Sequence, residues 1–227
     1  MKNSKHSIAM AILAFAFTAA SPLTSHADLI YSNLNNEFDV FFTDVNRWTA
    51  GSFVTDASTS GTFGISVGLK IWTYGAPTQN DFFVRLYSDS GTGPGGLITA
   101  LTGDSDPDSA ALFRAQIYDY TGTVTLVANT PYWVAFGTMS PSGPGDNDYW
   151  VGYDRTPAET GADLGQPYGS SNQGTNWTLG GYPGAHINDR VNMTVTTTAV
   201  PEPSSAVGVF LALSWALVWR QRQRKLT

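Results

Sequence analysis

The sequence predicts an all-β fold, an antiparallel β-sandwich or jelly roll, flanked by an N-terminal signal helix and a C-terminal transmembrane helix. Three observations support this prediction. Apolar residues alternate with polar ones over short stretches, as they do in strands with one buried face. Clusters of Gly, Ser, Asn, Asp and Pro separate these stretches, which is typical of turns. The middle of the chain lacks the 3.6-residue apolar period of an amphipathic helix.

Residues 1–27 are predicted to be a secretory signal peptide. Lys2 and Lys5 precede an uncharged apolar run, and the tripeptide Ser-His-Ala then places small residues before a cleavage site between Ala27 and Asp28. A retained membrane helix is the alternative interpretation. The apolar run is short for that role, because a helix needs roughly 20 apolar residues to cross a bilayer.

Residues 28–197 are predicted to form one extracellular β-sandwich domain, whose surface is strongly acidic. Between residues 28 and 203 lie six of the 12 basic residues and all 18 acidic residues, a formal net charge of −12. Such a charge argues against binding to nucleic acid or to anionic lipid. The chain has no cysteine, so no disulfide can support the domain and its stability must come from its core.

Strands of different clarity fill this domain. The clearest alternation covers residues 65–71, 82–87, 132–136 and 191–196. Weaker candidates are residues 29–31, 40–42, 52–54, 116–118, 124–127 and 149–153. Turns are predicted at 90–96, 103–108 and 140–148, and residues 156–184 are predicted to be a long ordered loop of the kind that often carries function.

Residues 198–227 form a tail with three parts. The first is the motif at 200–203, in which Pro201 and Pro203 fix an extended backbone around Glu202. The second is a predicted membrane helix at 204–219, whose uncharged apolar part is short for a full span. The third is the basic end at 220–227, which suits the cytoplasmic headgroup region and lets arginine stems extend the span. Its basic residues are Arg220, Arg222, Arg224 and Lys225. An amphipathic or disordered tail is the alternative.

The order of these parts resembles the PEP-CTERM sorting signal of Gram-negative bacteria. The resemblance rests on Pro201, Glu202 and Pro203, the apolar run and the terminal arginines. It implies transient anchoring in the inner membrane, followed by cleavage by an exosortase-like membrane protease. It also implies an exopolysaccharide setting such as a biofilm or floc.

The middle of the chain resembles the choice-anchor class of surface domains. The matching segments are Phe83-Val-Arg85-Leu-Tyr87, Gly93-Pro94-Gly95-Gly96, and Asn129-Thr130-Pro131-Tyr132-Trp133. The resemblance implies an exported β-sandwich surface module, and it brings no catalytic residues with it.

Catalytic signatures are weak, and the chain is predicted not to be an enzyme. His186 is the only histidine after the signal peptide, with Asp189 as a partner for a triad, but no nucleophile elbow is predicted for it. The one Gly-x-Ser-x-Gly pattern, at residues 64–68, overlaps the strand predicted at 65–71, whereas an elbow joins a strand to a helix. One histidine without cysteine also argues against a zinc site. A glycosidase needs only two carboxylates, so that activity stays an alternative.

Calcium is the one predicted cofactor. Asp104, Asp106 and Asp108 alternate along a turn, as the oxygen ligands of a hard cation do. The pattern departs from an EF-hand, because Ser109 stands where the invariant glycine belongs. A solvated acidic turn is the alternative.

Aromatic residues are abundant. Trp133 and Trp150 are predicted to lie in the core, while Tyr168, Trp177 and Tyr182 in the long loop are candidate glycan-binding residues. The alternative for these three is ordinary packing.

Taken together, the sequence predicts an exported protein that is anchored in the inner membrane during sorting and then lies at the cell surface or outside the cell. Its predicted role is structural or adhesive, and exopolysaccharide is a candidate partner. Binding to nucleic acid is not expected. A carbohydrate-binding module and a matrix-remodelling glycosidase are the alternatives.

Overall fold

A computed structural model of the protein describes residues 27–34, 39–43, 47–73, 81–107, 115–139, 149–154, 160–180 and 189–200. These residues form 13 strands and no helix. The strands are β1 (Ala27–Ser32), β2 (Asp39–Thr43), β3 (Trp48–Val54), β4 (Gly61–Thr73), β5 (Phe82–Asp89), β6 (Pro94–Leu101), β7 (Gln116–Leu126), β8 (Pro131–Thr138), β9 (Tyr149–Asp154), β10 (Tyr168–Ser170), β11 (Thr178–Leu179), β12 (Arg190–Val191) and β13 (Met193–Ala199).

The strands form two sheets in which every pairing is antiparallel. The seven-stranded sheet has the order β1-β13-β4-β9-β12, with β7 paired to β4 and β2 paired to β9. The six-stranded sheet has the order β11-β10-β3-β8-β5-β6. The predicted all-β fold is therefore confirmed, and the two sheets support the predicted β-sandwich.

The core lies between the sheets and follows the alternation of the sequence. Along β4 the side chains of Ile65, Val67, Leu69 and Ile71 are all buried, while the residues between them point away. Strands β5 and β8 supply apolar side chains from the second sheet to the same core. Each fully buried aliphatic or aromatic side chain contributes about 1.5–3 kcal/mol to folding, so this core is the main source of stability in a chain without disulfides.

Strand β7 corrects the sequence prediction, which divided it into two strands at 116–118 and 124–127. It is one strand that follows β4 residue by residue, from Gln116 opposite Ile71 to Leu126 opposite Gly61. The alternation of apolar residues is interrupted at Gly122, which has no side chain. The structure has no room for one there, because a Cβ would lie only 2.8 Å from the Leu101 side chain. A glycine at such a position removes the apolar signal from the sequence without ending the strand.

The predicted turn at 90–96 is also shorter than expected, since β6 already begins at Pro94. The predicted long loop at 156–184 is partly sheet. Within its described part, β10 pairs with Trp48, Thr49 and Ala50 of β3, and β11 pairs with β10. This segment therefore extends the six-stranded sheet.

Short bridges join strands of the two sheets. Thr102, directly after β6, and Thr121, in the middle of β7, exchange two backbone hydrogen bonds of 2.8 Å. Farther along the chain, Thr160 bridges to Ser32 of β1 and Ala162 bridges to Val54 of β3. These two bridges tie residues 160–162 to both sheets.

Strand β8 is buried on both faces. Its residues Tyr132, Val134 and Phe136 belong to the core between the sheets. Trp133 and Ala135 point to the opposite face, as alternation in a strand requires, and belong to a second apolar cluster with Ala50 and Tyr87. We call this second face of the six-stranded sheet the outer face. Trp133 is buried, as predicted, but it is buried on the outer face.

The predicted terminal helices lie outside the described residues. The part of the chain that the structure describes holds no helix with the length and apolarity that crossing a bilayer requires. Residues Ala27–Ala199 form a compact unit of their own.

Candidate functional site

An ordered hairpin covers part of the outer face. The loop between β10 and β11 is held by Ser170 Oγ, which accepts from the Gly174 amide at 2.8 Å, and by Asn172 Oδ1, which accepts from the Asn176 amide at 2.9 Å. Gly174 has a φ of 78° and packs so closely on the Trp48 ring that a Cβ would lie 2.9 Å from it. The loop is thus fixed against the sheet.

A cleft of about 480 Å³ opens beside this hairpin. Its floor is formed by Trp133 and Tyr168, whose rings meet edge to face with centroids 4.9 Å apart. The turn between β5 and β6 forms one wall, and Gly93 in that turn touches Tyr168 so closely that a Cβ would lie 2.6 Å from the ring. The volume falls in the range of small-molecule sites, roughly 300–1,000 Å³.

Asp89 braces the cleft. Its Oδ1 accepts from the Trp133 indole at 2.8 Å, and its Oδ2 accepts from the Gly91 amide at 2.9 Å. One carboxylate therefore orients the floor and shapes the turn that forms the wall. Asp89 therefore serves the architecture of the cleft.

Arg190 enters the cleft from the opposite side. Its Nε lies 2.9 Å from Asp163 Oδ2, and its Nη1 donates to the Asp189 carbonyl at 3.0 Å. Asp163 also accepts from the Tyr31 hydroxyl and from the Gly165 amide. The remaining guanidinium nitrogen, Nη2, lies beside Gly165 and has no hydrogen-bond partner among the described residues.

Two more polar groups line the cleft without a hydrogen-bond partner in the part of the chain that the structure describes. They are the Gln166 amide and the Tyr168 hydroxyl. Leu164 and Leu179, which are 50% and 52% exposed, add apolar surface at the rim. The cleft therefore combines hydrogen-bonding groups with apolar surface, as ligand sites commonly do.

The predicted glycan-binding residues are only partly brought together. Tyr168 lines the cleft. Trp177 packs on the edge of Tyr87 with ring centroids 5.9 Å apart, and so contributes to the second apolar cluster. Tyr182 and the side chain of Trp150 lie outside the described residues.

The sequence singles out none of the other cleft residues as a site residue, although Leu164, Gln166 and Leu179 lie in the predicted long loop at 156–184. Asp89, Gln166 and Arg190 come from three distant segments, and only the pairing of the strands brings them together. His186, the only histidine that a triad could use, lies outside the described residues, while Asp189 is fully buried.

The acidic turn at 103–108 is tied into the core. Asp106 Oδ1 accepts from the buried Tyr149 hydroxyl at 3.0 Å, and the Asp104 carbonyl accepts from the buried Tyr120 hydroxyl at 2.9 Å. Asp104 Oδ1 accepts from the Asp106 amide. Asp108 lies outside the described residues, and the residues that are described contain no group of three His, Cys, Asp or Glu placed to hold a metal. Calcium binding stays a prediction of the sequence.

Calcium binding and core support can be separated at Asp106. We expect Asp106→Ala to lower the free energy of unfolding by about 1–3 kcal/mol in chelator, because it removes the acceptor of a buried hydroxyl. Denaturant unfolding measures this loss, with the exposed Asp119→Ala as control. If calcium also binds here, wild type gains stability from it by mass action and the variant does not. Superimposable wild-type curves in calcium and in chelator would contradict the calcium prediction.

Comparison with known proteins adds no assignment. No protein-family model and no curated protein matches the chain.

Proposed function

We propose that the chain is an exported protein of the cell surface or extracellular matrix with a structural or adhesive role. In this proposal the tail anchors it in the inner membrane until an exosortase-like protease cuts near Pro201, Glu202 and Pro203. The β-sandwich then remains at the cell surface or outside the cell, in an exopolysaccharide setting.

The supporting observation is where the strands begin and end. β1 begins at Ala27, the last residue of the predicted signal peptide, and β13 ends at Ala199, just before the predicted motif. Ala27 and Thr198 are paired across these two strands. The predicted signal cleavage between Ala27 and Asp28 and the predicted motif at 200–203 therefore adjoin two strands that are paired with each other.

The pairing of β13 supports the proposal that the domain keeps its fold after the tail is removed. It is paired to β1 on one side and to β4 on the other, and it buries Met193 and Val195 in the core. Val200, directly after the strand, is exposed. A protease that binds extended chain would read the motif that follows the strand in sequence, and the two prolines reduce the cost of ordering it.

A carbohydrate-binding role is the second candidate. It is favoured by the cleft, in which hydrogen-bonding groups lie beside an aromatic floor and an apolar rim. A glycosidase stays an alternative from the sequence alone, to be tested by a cleavage assay on the native polysaccharide.

Sorting is tested by replacing the motif with Ala-Gln-Ala, which keeps the length of the tail and its apolar run. We expect the uncut form to accumulate in the membrane as a larger band on a blot, because the insertion signal is intact and the protease site is lost. Deleting residues 204–227 is the matched variant, and it should give soluble secreted protein. Processing of the Ala-Gln-Ala variant at the wild-type rate would contradict the proposal, and so would pelleting of the deletion variant with inner membranes.

A further inference from the structure

The charged side chains around the cleft carry no excess of positive charge. Arg190 is paired with Asp163, and Asp89 adds a further carboxylate whose two oxygens accept hydrogen bonds from the neutral Trp133 indole and Gly91 amide. The domain as a whole has a net charge of −12 between residues 28 and 203, which repels an anionic polymer. The electrostatics therefore favour a neutral ligand over an anionic one.

The polar groups that lack partners within the described residues match hydroxyl chemistry. The Gln166 amide and the Tyr168 hydroxyl can each donate and accept, and Arg190 Nη2 can donate. A sugar hydroxyl also donates and accepts, so it can satisfy each of these groups. The C–H faces of a sugar ring are apolar and complement Leu164 and Leu179 at the rim.

The cleft is built before any ligand arrives. Asp89 holds the indole of the floor, Gly93 packs on the ring of Tyr168, and Leu164 is fixed by its amide, which donates to Ser52 Oγ at 2.8 Å. A preformed site lowers the entropy cost of binding. The lower entropy cost helps a ligand such as a polysaccharide, whose individual contacts are weak.

We propose that the cleft binds a segment of a neutral polysaccharide, with Gln166, Tyr168 and Arg190 as its hydrogen-bonding residues and Leu164 and Leu179 as its apolar contacts. This inference rests on the carbohydrate-binding candidate above and names its residues and its class of ligand. It is independent of how the tail is processed.

The test is calorimetric titration of the full chain with neutral hexasaccharides of glucose, mannose, galactose and N-acetylglucosamine, and with hexagalacturonate as the acidic probe. We expect at least one neutral probe to bind and the acidic probe to bind more weakly. Gln166→Ala and Tyr168→Phe should each weaken the binding by about two- to tenfold, the usual effect of losing one hydrogen bond. Tyr168→Phe keeps the ring on Trp133, so its fold should be unchanged.

Leu179→Ser and Ile117→Ser form a matched pair of controls, because the two residues are 52% and 54% exposed and Ile117 lies on β7 of the other sheet. Only Leu179→Ser should weaken binding. The proposal is overturned if no neutral probe binds, if the acidic probe binds more tightly, or if Gln166→Ala and Tyr168→Phe bind as wild type does. None of these results would bear on the export proposal, which is tested separately by membrane fractionation and blotting.

Discussion

Gly161→Ala should lower the free energy of unfolding by at least about 4 kcal/mol, a loss that few single substitutions cause. Gly161 has a φ of 85°, which L-residues rarely adopt, and a Cβ there would overlap the carbonyl oxygen of Ile30. Its neighbours Thr160 and Ala162 form the bridges to β1 and β3. Relief of the overlap requires this segment to move, and that movement would strain the bridges to both sheets.

Gly91→Ala is the matched control. Gly91 has a nearly equal φ of 82°, but a Cβ there would meet nothing within 4 Å. It should cost only the conformational penalty of about 1–2 kcal/mol. Urea unfolding of both variants measures the difference, which isolates the backbone overlap at Gly161. Equal losses in the two variants would show that the bridges tolerate a shift of the segment.

The sequence predicts the strands whose buried faces are consistently apolar. β4 and β5 each present such a face, and their positions were expected from the alternation alone. β7 was divided because Gly122 interrupts its buried face, and β6 was hidden behind the turn-like start Pro94-Gly95-Gly96. A glycine weakened the apolar pattern in β7 and a predicted turn covered the start of β6, yet each segment pairs with a neighbouring strand.

The site was less predictable than the fold. Tyr168 is predicted from the abundance of aromatic residues and its place in the long loop, but its strand β10 has three residues and its partner β11 has two, too few for a periodic signal. Once β10 pairs with β3, the outer face of the sheet and the turn after β5 meet at Tyr168. The roles of Asp89 and Arg190 depend on that meeting, so residue spacing could not reveal them.

Alkaline pH should unfold the protein through two buried tyrosines. Tyr120 and Tyr149 are each 1% exposed, and burial raises the pKa of both far above the ordinary value of 10.0. The carboxylate of Asp104 raises the pKa of Tyr120 further, and that of Asp106 raises the pKa of Tyr149. Because the pKa is higher in the folded state, the stability from each hydroxyl is fully present below about pH 10. It is lost as pH rises, since only the unfolded chain releases these protons.

The expected slope is steep. Each tyrosine changes the unfolding equilibrium about tenfold per pH unit, so the two together should lower the free energy of unfolding by about 3 kcal/mol per pH unit. Urea unfolding at a series of pH values above 10 measures this slope. Tyr120→Phe should halve it, although the lost bond to the Asp104 carbonyl costs about 1 kcal/mol at neutral pH. Ile65→Val, which costs about 0.5–1.5 kcal/mol at every pH, is the control for general weakening. If Tyr120→Phe kept the wild-type slope while Ile65→Val only shifted the curve, ionisation of the buried tyrosines would not be what limits stability in base.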